Sequence, residues 1–150
     1  MLEQFAQHLT CYLSQKEIDL LLASLDNKRY QGLLLNPARL SRQDLLNVFP
    51  SLVPHPIIDH AFIYDPNDIA PGKSYLFNAG AYYLQDLSAM LVAHLLPTGD
   101  NEIIADHCAA PGGKTVQTAL KNTHSLIIAN DVSGQRARTL ASNIERFGFD

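Results

Sequence analysis

Cysteine is scarce in this chain of 150 residues, which holds only Cys11 and Cys108. Two are too few for a disulfide framework, and the expected setting is a reducing cytoplasm. Long apolar runs are lacking too. The longest candidate, Ala89–Leu96, contains His94 and stops at Pro97, well short of the ~20 residues a membrane-spanning helix requires. Met1–Thr10 is amphipathic and mixed in charge, without the basic stretch and apolar run of a secretion signal. The six histidines, at positions 8, 55, 60, 94, 107 and 124, keep no ligand spacing with either cysteine. Neither a membrane nor a metal is therefore expected as a partner.

An excess of basic charge is also missing. Lys and Arg number 11 against 15 Asp and Glu, for a net charge of −4. Residues 1–78 carry 6 basic and 8 acidic groups and residues 79–150 carry 5 and 7, so each half stands at −2. A dedicated nucleic-acid binder normally concentrates positive charge somewhere, and by charge alone nucleic acid is disfavoured. Hydrophobic residues at 47% and charged residues at 17% exclude wholesale disorder.

The first third carries helical spacing. Phe5, Leu9, Tyr12 and Leu13 share one face, and Ser14-Gln-Lys-Glu17 then forms a capping box that starts a second helix with Ile18, Leu21, Leu22 and Leu25 as its apolar stripe. Tyr30–Leu35 is expected as a strand stopped by Asn36-Pro37, and Ser41-Arg-Gln-Asp44 as the cap of a short helix reaching Val48. Residues 50–78 are rich in proline and glycine, with His60–Tyr64 as one strand among loops. Beyond Gly80 the pattern predicts a helix over Leu84–Leu96, a buried strand over Glu102–His107 and a helix over Gly113–Leu120. A second strand follows over Ser125–Asp131, then a helix over Ser133–Phe147 closed by Gly148. Strand, helix, strand, helix at this spacing implies a parallel α/β sheet. The expected division is 1–78 as a small α+β domain and 79–150 as the start of the α/β unit.

The stretch that carries chemistry is Ile103-Ile-Ala-Asp106-His-Cys108-Ala-Ala-Pro111-Gly112-Gly113-Lys114-Thr115. A hydrophobic strand runs into a turn of small residues and then into a helix, so a ligand can approach bare backbone and meet free amides at the helix start. Twenty-five residues after Asp106 comes Asp131, at the end of the next strand. A carboxylate there can accept both hydroxyls of a ribose. Gly113-Lys114-Thr115 fits the end of a phosphate-binding loop, but Cys108 stands where its first glycine must be, and Gly-x-Gly-x-x-Gly is absent. S-adenosyl-L-methionine, which has no phosphates, fits best. A plain tight strand-to-helix turn would also leave Pro111-Gly112-Gly113 in this pattern.

Asp106-x-Cys108-Ala-Ala-Pro-Gly-Gly-Lys-Thr115 resembles the signature of the Sun/Nop-type RNA (cytosine-5) methyltransferases. Gly80-x-Tyr82-Tyr-x-Gln85-Asp86-x-Ser88-x-Met90 resembles that family's lead-in segment, and Ala129-Asn130-Asp131 with Arg136 its second motif. The opening residues, including Leu35-Asn36-Pro37, resemble the RNA-contacting region of bacterial members that act on ribosomal RNA. The resemblance implies a Rossmann-like, S-adenosyl-methionine-dependent methyltransferase domain behind the small α+β domain, with RNA as partner. By it, Cys108, Ala109, Ala110, Pro111, Gly112, Gly113 and Lys114 surround the cofactor, Asp131 holds its ribose, and Gln85 and Asp86 lie near the cleft.

Family chemistry adds a cysteine thiolate to carbon 6 of cytosine, and a second cysteine assists breakdown of the adduct. One of the motifs that carry them is of the Asp-Ala-Pro-Cys type, and neither motif occurs in these 150 residues. Cys11, expected within the N-terminal helix, and Cys108 match neither nucleophile. No catalytic residue is therefore assigned within the chain, and both nucleophile cysteines are expected beyond Asp150. The expectation is the first half of a methyltransferase domain that does not methylate by itself, with self-association to cover an unpaired sheet. The alternative is a non-catalytic module that binds RNA or a nucleotide-like ligand.

Several residues also have plain structural readings. Cys108 can be a small buried residue at a strand end. Asp131 can cap the helix that follows it. Tyr82 and Tyr83 can be packing rather than a base-stacking pair, and Arg39 and Arg42 ordinary surface rather than phosphate contacts.

Overall fold

The computed structural model describes residues 2–25, 29–99 and 101–149. Asp150, the residue beyond which the nucleophile cysteines are expected, lies outside the described residues. Helices α1 (Leu2–Leu9) and α2 (Gln15–Leu25) come first. The capping box forms: Ser14 N–H donates to Glu17 Oε2 at 2.8 Å, and Glu17 N–H reaches back to Ser14 Oγ at 3.4 Å. Cys11 lies in the turn after α1 and not in the helix, because the chain leaves α1 at Leu9.

The centre of the molecule is an antiparallel sheet in the order β2 (Val53–Pro54), β3 (Ala61–Tyr64), β1 (Gln31–Leu35), β4 (Tyr82–Gln85). Strand β1 lies between β3 and β4, with Leu33 opposite both Phe62 and Leu84, and Leu34 opposite Ala61 and Tyr83. A central strand covered on both faces needs apolar residues at consecutive positions, which is why 32–35 are all buried. Leu33 and Leu35 join Phe62, Tyr64, Tyr82, Leu45 and Leu52 on the face covered by α3 (Arg42–Val48). Leu34 points the other way and packs with Tyr83, Met90, Val116 and Phe147. That second face carries α5 (Leu87–Leu95), α6 (Gly113–Lys121) and α7 (Gly134–Phe147). The antiparallel sheet therefore shares one core with the helices of the α/β half.

Strand β4 corrects an expectation. The helix expected over Leu84–Leu96 begins only at Leu87, and residues 82–85 are extended. Pairing with β1, some fifty residues earlier, decides their conformation, and a non-local ladder of this kind outweighs local propensity. A 3-10 turn at Pro71–Lys73 and the short helix α4 (Tyr75–Asn78) lead into it. Tyr82 is fully buried and its hydroxyl donates to the Pro71 carbonyl at 2.8 Å, so this tyrosine is core.

The α/β half contains β5 (Ile103–Asp106) and β6 (Leu126–Ala129), paired in parallel, with Ile104 opposite Ile127 and Asp106 opposite Ala129. Helix α6 connects them, and α7 follows β6. The expected burial of the first of these strands is wrong: exposure alternates along both, leaving Ile103 73%, Leu126 59% and Ile128 54% exposed. The chain thus has a small α+β layer followed by the first half of a Rossmann-like unit.

Candidate functional site

The turn between β5 and α6 forms one wall of a cavity of about 290 Å3. Cys108, Ala109, Ala110, Pro111, Gly113 and Lys114 line that wall; Tyr83, Gln85 and Asp86 from β4 and its exit line the other. Six of the seven expected turn residues therefore surround one space. The seventh, Gly112, lies behind the turn with φ +113°, where an added Cβ would meet Leu140 Cδ1 at 3.0 Å. The Ala110–Pro111 peptide is cis. Cys108 is exposed rather than buried, since the turn carries it clear of the β5–β6 sheet.

Asp106 closes the strand end. Its Oδ2 accepts the Thr115 hydroxyl at 2.7 Å, tying the end of β5 to the first turn of α6. The ladder continues past the strands, with Asn130 N–H donating to the Asp106 carbonyl at 2.8 Å and Ala109 N–H to the Asn130 carbonyl at 2.9 Å. These bonds place the turn beside the end of β6.

Asp131 is buried, and it is not in the wall of that cavity. Its Oδ1 accepts the Ser133 amide at 3.1 Å in a turn before α7, while the cap of the helix is Ser133, whose Oγ accepts the Arg136 amide. Its Oδ2 makes no hydrogen bond of good geometry and is met by Arg136 Nη1 at 3.2 Å. The other arm of Arg136 donates to the Ala110 carbonyl at 2.6 Å. One guanidinium thus joins Asp131 to the turn.

Gln85, expected near the cleft, presents a side-chain amide whose oxygen and nitrogen are both buried without a partner. Two further contributions were not evident from the sequence. Tyr83 is buried, yet its hydroxyl donates to the Pro111 carbonyl at 3.3 Å. Asn143, on α7, donates to the same carbonyl at 2.8 Å. The one signal for Asn143 was its spacing of seven from Arg136, which places both on one helix face. Arg39 and Arg42 are engaged at home: Arg39 donates to the Ala79 carbonyl at 3.0 Å, and the Arg42 guanidinium lies 5.6 Å from the Phe62 ring centre. Among the described residues, no group of three His, Cys, Asp or Glu could hold a metal ion, and no helix is long and apolar enough to cross a membrane.

Burial raises the Tyr83 hydroxyl pKa above its ordinary 10.0, with the Arg146 charge opposing. Tyr64 and Tyr82 are raised as well, chiefly by burial. A raised folded-state value favours the protonated form in the fold. The stability it gives is complete below the unfolded value and is lost as pH climbs through the folded values. Urea midpoints should therefore hold at mild alkaline pH and fall above about pH 10, with Tyr83→Phe showing a shallower fall. Parallel profiles for the two proteins would contradict this.

With this geometry in view, the comparisons are specific. The sequence model described as the N-terminal domain of 16S rRNA methyltransferase RsmF matches residues 1–87, and that of 16S rRNA methyltransferase RsmB/F matches residues 93–150. Ribosomal RNA small subunit methyltransferase F of Shewanella frigidimarina is 31% identical over 150 residues, covering 95% of this chain and 30% of that protein. The human 28S rRNA (cytosine(4447)-C(5))-methyltransferase is 39% identical over 88 residues, which are 57% of this chain and 11% of that protein. The chain spans about a third or less of the length of these curated relatives.

Among solved structures, NSun6 from Pyrococcus horikoshii with SFG superposes with a TM-score of 0.81 at 16% identity, over 97% of this chain and 62% of that one. A methyltransferase homolog protein from Pyrococcus horikoshii gives 0.75 at 27% identity, over 91% and 46%. The first likeness shows the fold, and the model of the N-terminal domain covers more than half of the chain. The chain belongs to the RsmF family of 16S rRNA methyltransferases.

Proposed function

We propose that these residues form the RNA-contacting domain and the cofactor half of an S-adenosyl-methionine-dependent RNA (cytosine-5) methyltransferase that makes 5-methylcytosine in ribosomal RNA, in the cytoplasm. The observation that carries the reading is that Cys108–Pro111, Gly113 and Lys114 of the turn line one wall of a cavity, in a turn whose Cys108 stands where a phosphate-binding loop needs its first glycine. The residues fit the cofactor. Lys114 and Asp106 line the same space with opposite charges, suited to the carboxylate and the amine of a methionyl group. Asp106 keeps one oxygen outside its bond to Thr115. The unpartnered Gln85 amide lies in the wall. S-adenosyl-L-methionine bound there supplies an activated methyl group. Asp131, one guanidinium away from the turn, is the ribose partner in this reading, and Arg136 holds its Oδ2 at 3.2 Å. Names such as 16S and 28S rRNA methyltransferase among the relatives support RNA as substrate.

The 150 residues contain no Asp-Ala-Pro-Cys sequence, and both cysteines are exposed at turns. No nucleophile cysteine is assigned within these residues. Calorimetric titration should therefore show S-adenosyl-L-methionine binding, while incubation with labelled cofactor and cytosine-containing RNA should show no transfer. Asp131→Ala should weaken binding about tenfold or more, the loss of a charged hydrogen-bond acceptor. RNA binding without cofactor binding, and with Asp131→Ala silent, would instead favour an assembly or regulatory module.

The exposed Ile103, Leu126 and Ile128 lie on a two-stranded sheet whose outer edges have no strand partner among the described residues. In solution we expect these 150 residues to associate with a second copy. Sedimentation velocity should show concentration-dependent association that weakens in Ile128→Lys, and a monomer at every concentration would count against it.

A further inference from the structure

Helix α7 presents Arg136, Leu140 and Asn143 at i, i+4 and i+7, so the three side chains stand above one another on a single face. That face lies against the turn. Arg136 Nη2 donates to the Ala110 carbonyl at 2.6 Å, and Asn143 Nδ2 donates to the next carbonyl, that of Pro111, at 2.8 Å. Leu140, buried between them, packs with Ala109 and Ala110 and sits under Gly112. The antiparallel sheet reaches the same point, because the Tyr83 hydroxyl donates to the Pro111 carbonyl too. Asn143 is in turn held by Arg146, whose Nη2 donates to Asn143 Oδ1 at 3.1 Å. The Arg146 guanidinium lies 4.4 Å from the Phe77 ring centre.

A planar trans peptide points its carbonyl and the following N–H in opposite directions. The Pro111–Gly112 peptide is trans. Pinning the Pro111 carbonyl onto α7 therefore turns the Gly112 N–H away from α7. Among the described residues no partner for that N–H is found.

We infer that Asn143 and Arg136 are positioning residues for the cofactor turn: Arg136 fixes the Ala110 carbonyl on α7 and so anchors the turn, and Asn143 fixes the next carbonyl, that of Pro111, and so sets the direction of the Gly112 N–H. Tyr83 adds the antiparallel sheet to this support, so both halves of the chain hold one carbonyl. The inference rests on the cofactor reading of the turn for its binding arm only.

The deciding variant is Asn143→Asp, which keeps the acceptor for Arg146 and removes the donor to Pro111. In the 15N-labelled chain, the Gly112 and Gly113 amide resonances should shift while those of the antiparallel sheet and the urea midpoint stay in place. Affinity for S-adenosyl-L-methionine should fall about threefold to tenfold, the scale of one lost hydrogen bond. Tyr83→Phe, which removes the weaker donor to the same carbonyl, should shift the same resonances by less. It also serves if Asn143→Asp does not fold. Unmoved Gly112 and Gly113 resonances overturn the inference, as do shifts spread evenly through the fold with a lowered midpoint. If the unaltered chain binds no cofactor, the cofactor reading fails by itself, and the resonance arm still decides whether α7 positions the turn.

Discussion

Gly80→Ala should cost about 3 kcal/mol or more of folding stability, the range reserved for a buried clash that side-chain motion cannot relieve. Gly80 has φ +70°, a left-handed backbone that glycine adopts freely. A Cβ added there would overlap the Arg146 carbonyl oxygen and lie 2.8 Å from its carbon. Both are backbone atoms near the end of α7, so relief requires moving the helix. The same place holds a junction. Asn36 Nδ2 donates to the Gly80 carbonyl at 3.2 Å and to the Phe147 carbonyl at 2.9 Å, and Asn36 is itself buried. Displacing α7 would open the bond from Asn36 to Phe147 and lift Phe147 from the core it shares with Leu34 and Met90.

Urea unfolding measures the loss, and Gly134→Ala is the control. Gly134 begins α7 with nothing within 4 Å of a notional Cβ, so alanine there should be neutral or stabilising by less than about 1 kcal/mol. Equal losses in the two variants would mean that the close approach at Gly80 does not hold the halves together.

Local signals were legible in the sequence and long-range ones were not. Ser14 with Glu17 and Ser41 with Asp44 cap helices because capping joins residues three apart, and both pairs form. The turn 108–113 could be recognised because its small residues and glycines follow one strand and precede one helix. Strand β4 could not. Tyr82-Tyr83-Leu84-Gln85 runs straight into a helical pattern, and only its pairing with β1 makes it extended.

The exposure of Ile103 and Ile128 was equally hidden, since a strand's composition does not say what covers its second face. At the candidate site, the residues that touch the cavity from β5 and α6 were found by their contiguity. Of those that hold the turn from behind, Arg136 stood out only through the family resemblance and Asn143 not at all, because both have the polarity of an ordinary solvated helix face. Polar side chains on a helix acquire a positioning role only when tertiary packing brings backbone carbonyls to them.

In the proposed cofactor site, that packing makes Gly112 a position where a side chain should be costly. Gly112→Val should reduce S-adenosyl-L-methionine affinity by about a hundredfold or more, equivalent to roughly 2.7 kcal/mol. The residue has φ +113° and ψ 2°, and a β-branched side chain is severely strained at positive φ. Its Cβ would already press Leu140 Cδ1 at 3.0 Å, and valine's two methyl groups would meet the face of α7 that holds the turn. The backbone would escape by rotating the Pro111–Gly112 peptide, which breaks the bonds from Asn143 and Tyr83 to the Pro111 carbonyl. Because Gly112 N–H precedes the first turn of α6, the amides at that helix start would turn with it. The strain is present with and without ligand and weighs on the fold, while the turned amides weigh on binding. Calorimetric titration should therefore show the loss of affinity, and urea unfolding a separate loss of stability. Gly112→Ala should lie between the valine variant and the unaltered chain on both scales. Undiminished affinity in the valine variant would remove the turn from the cofactor site altogether.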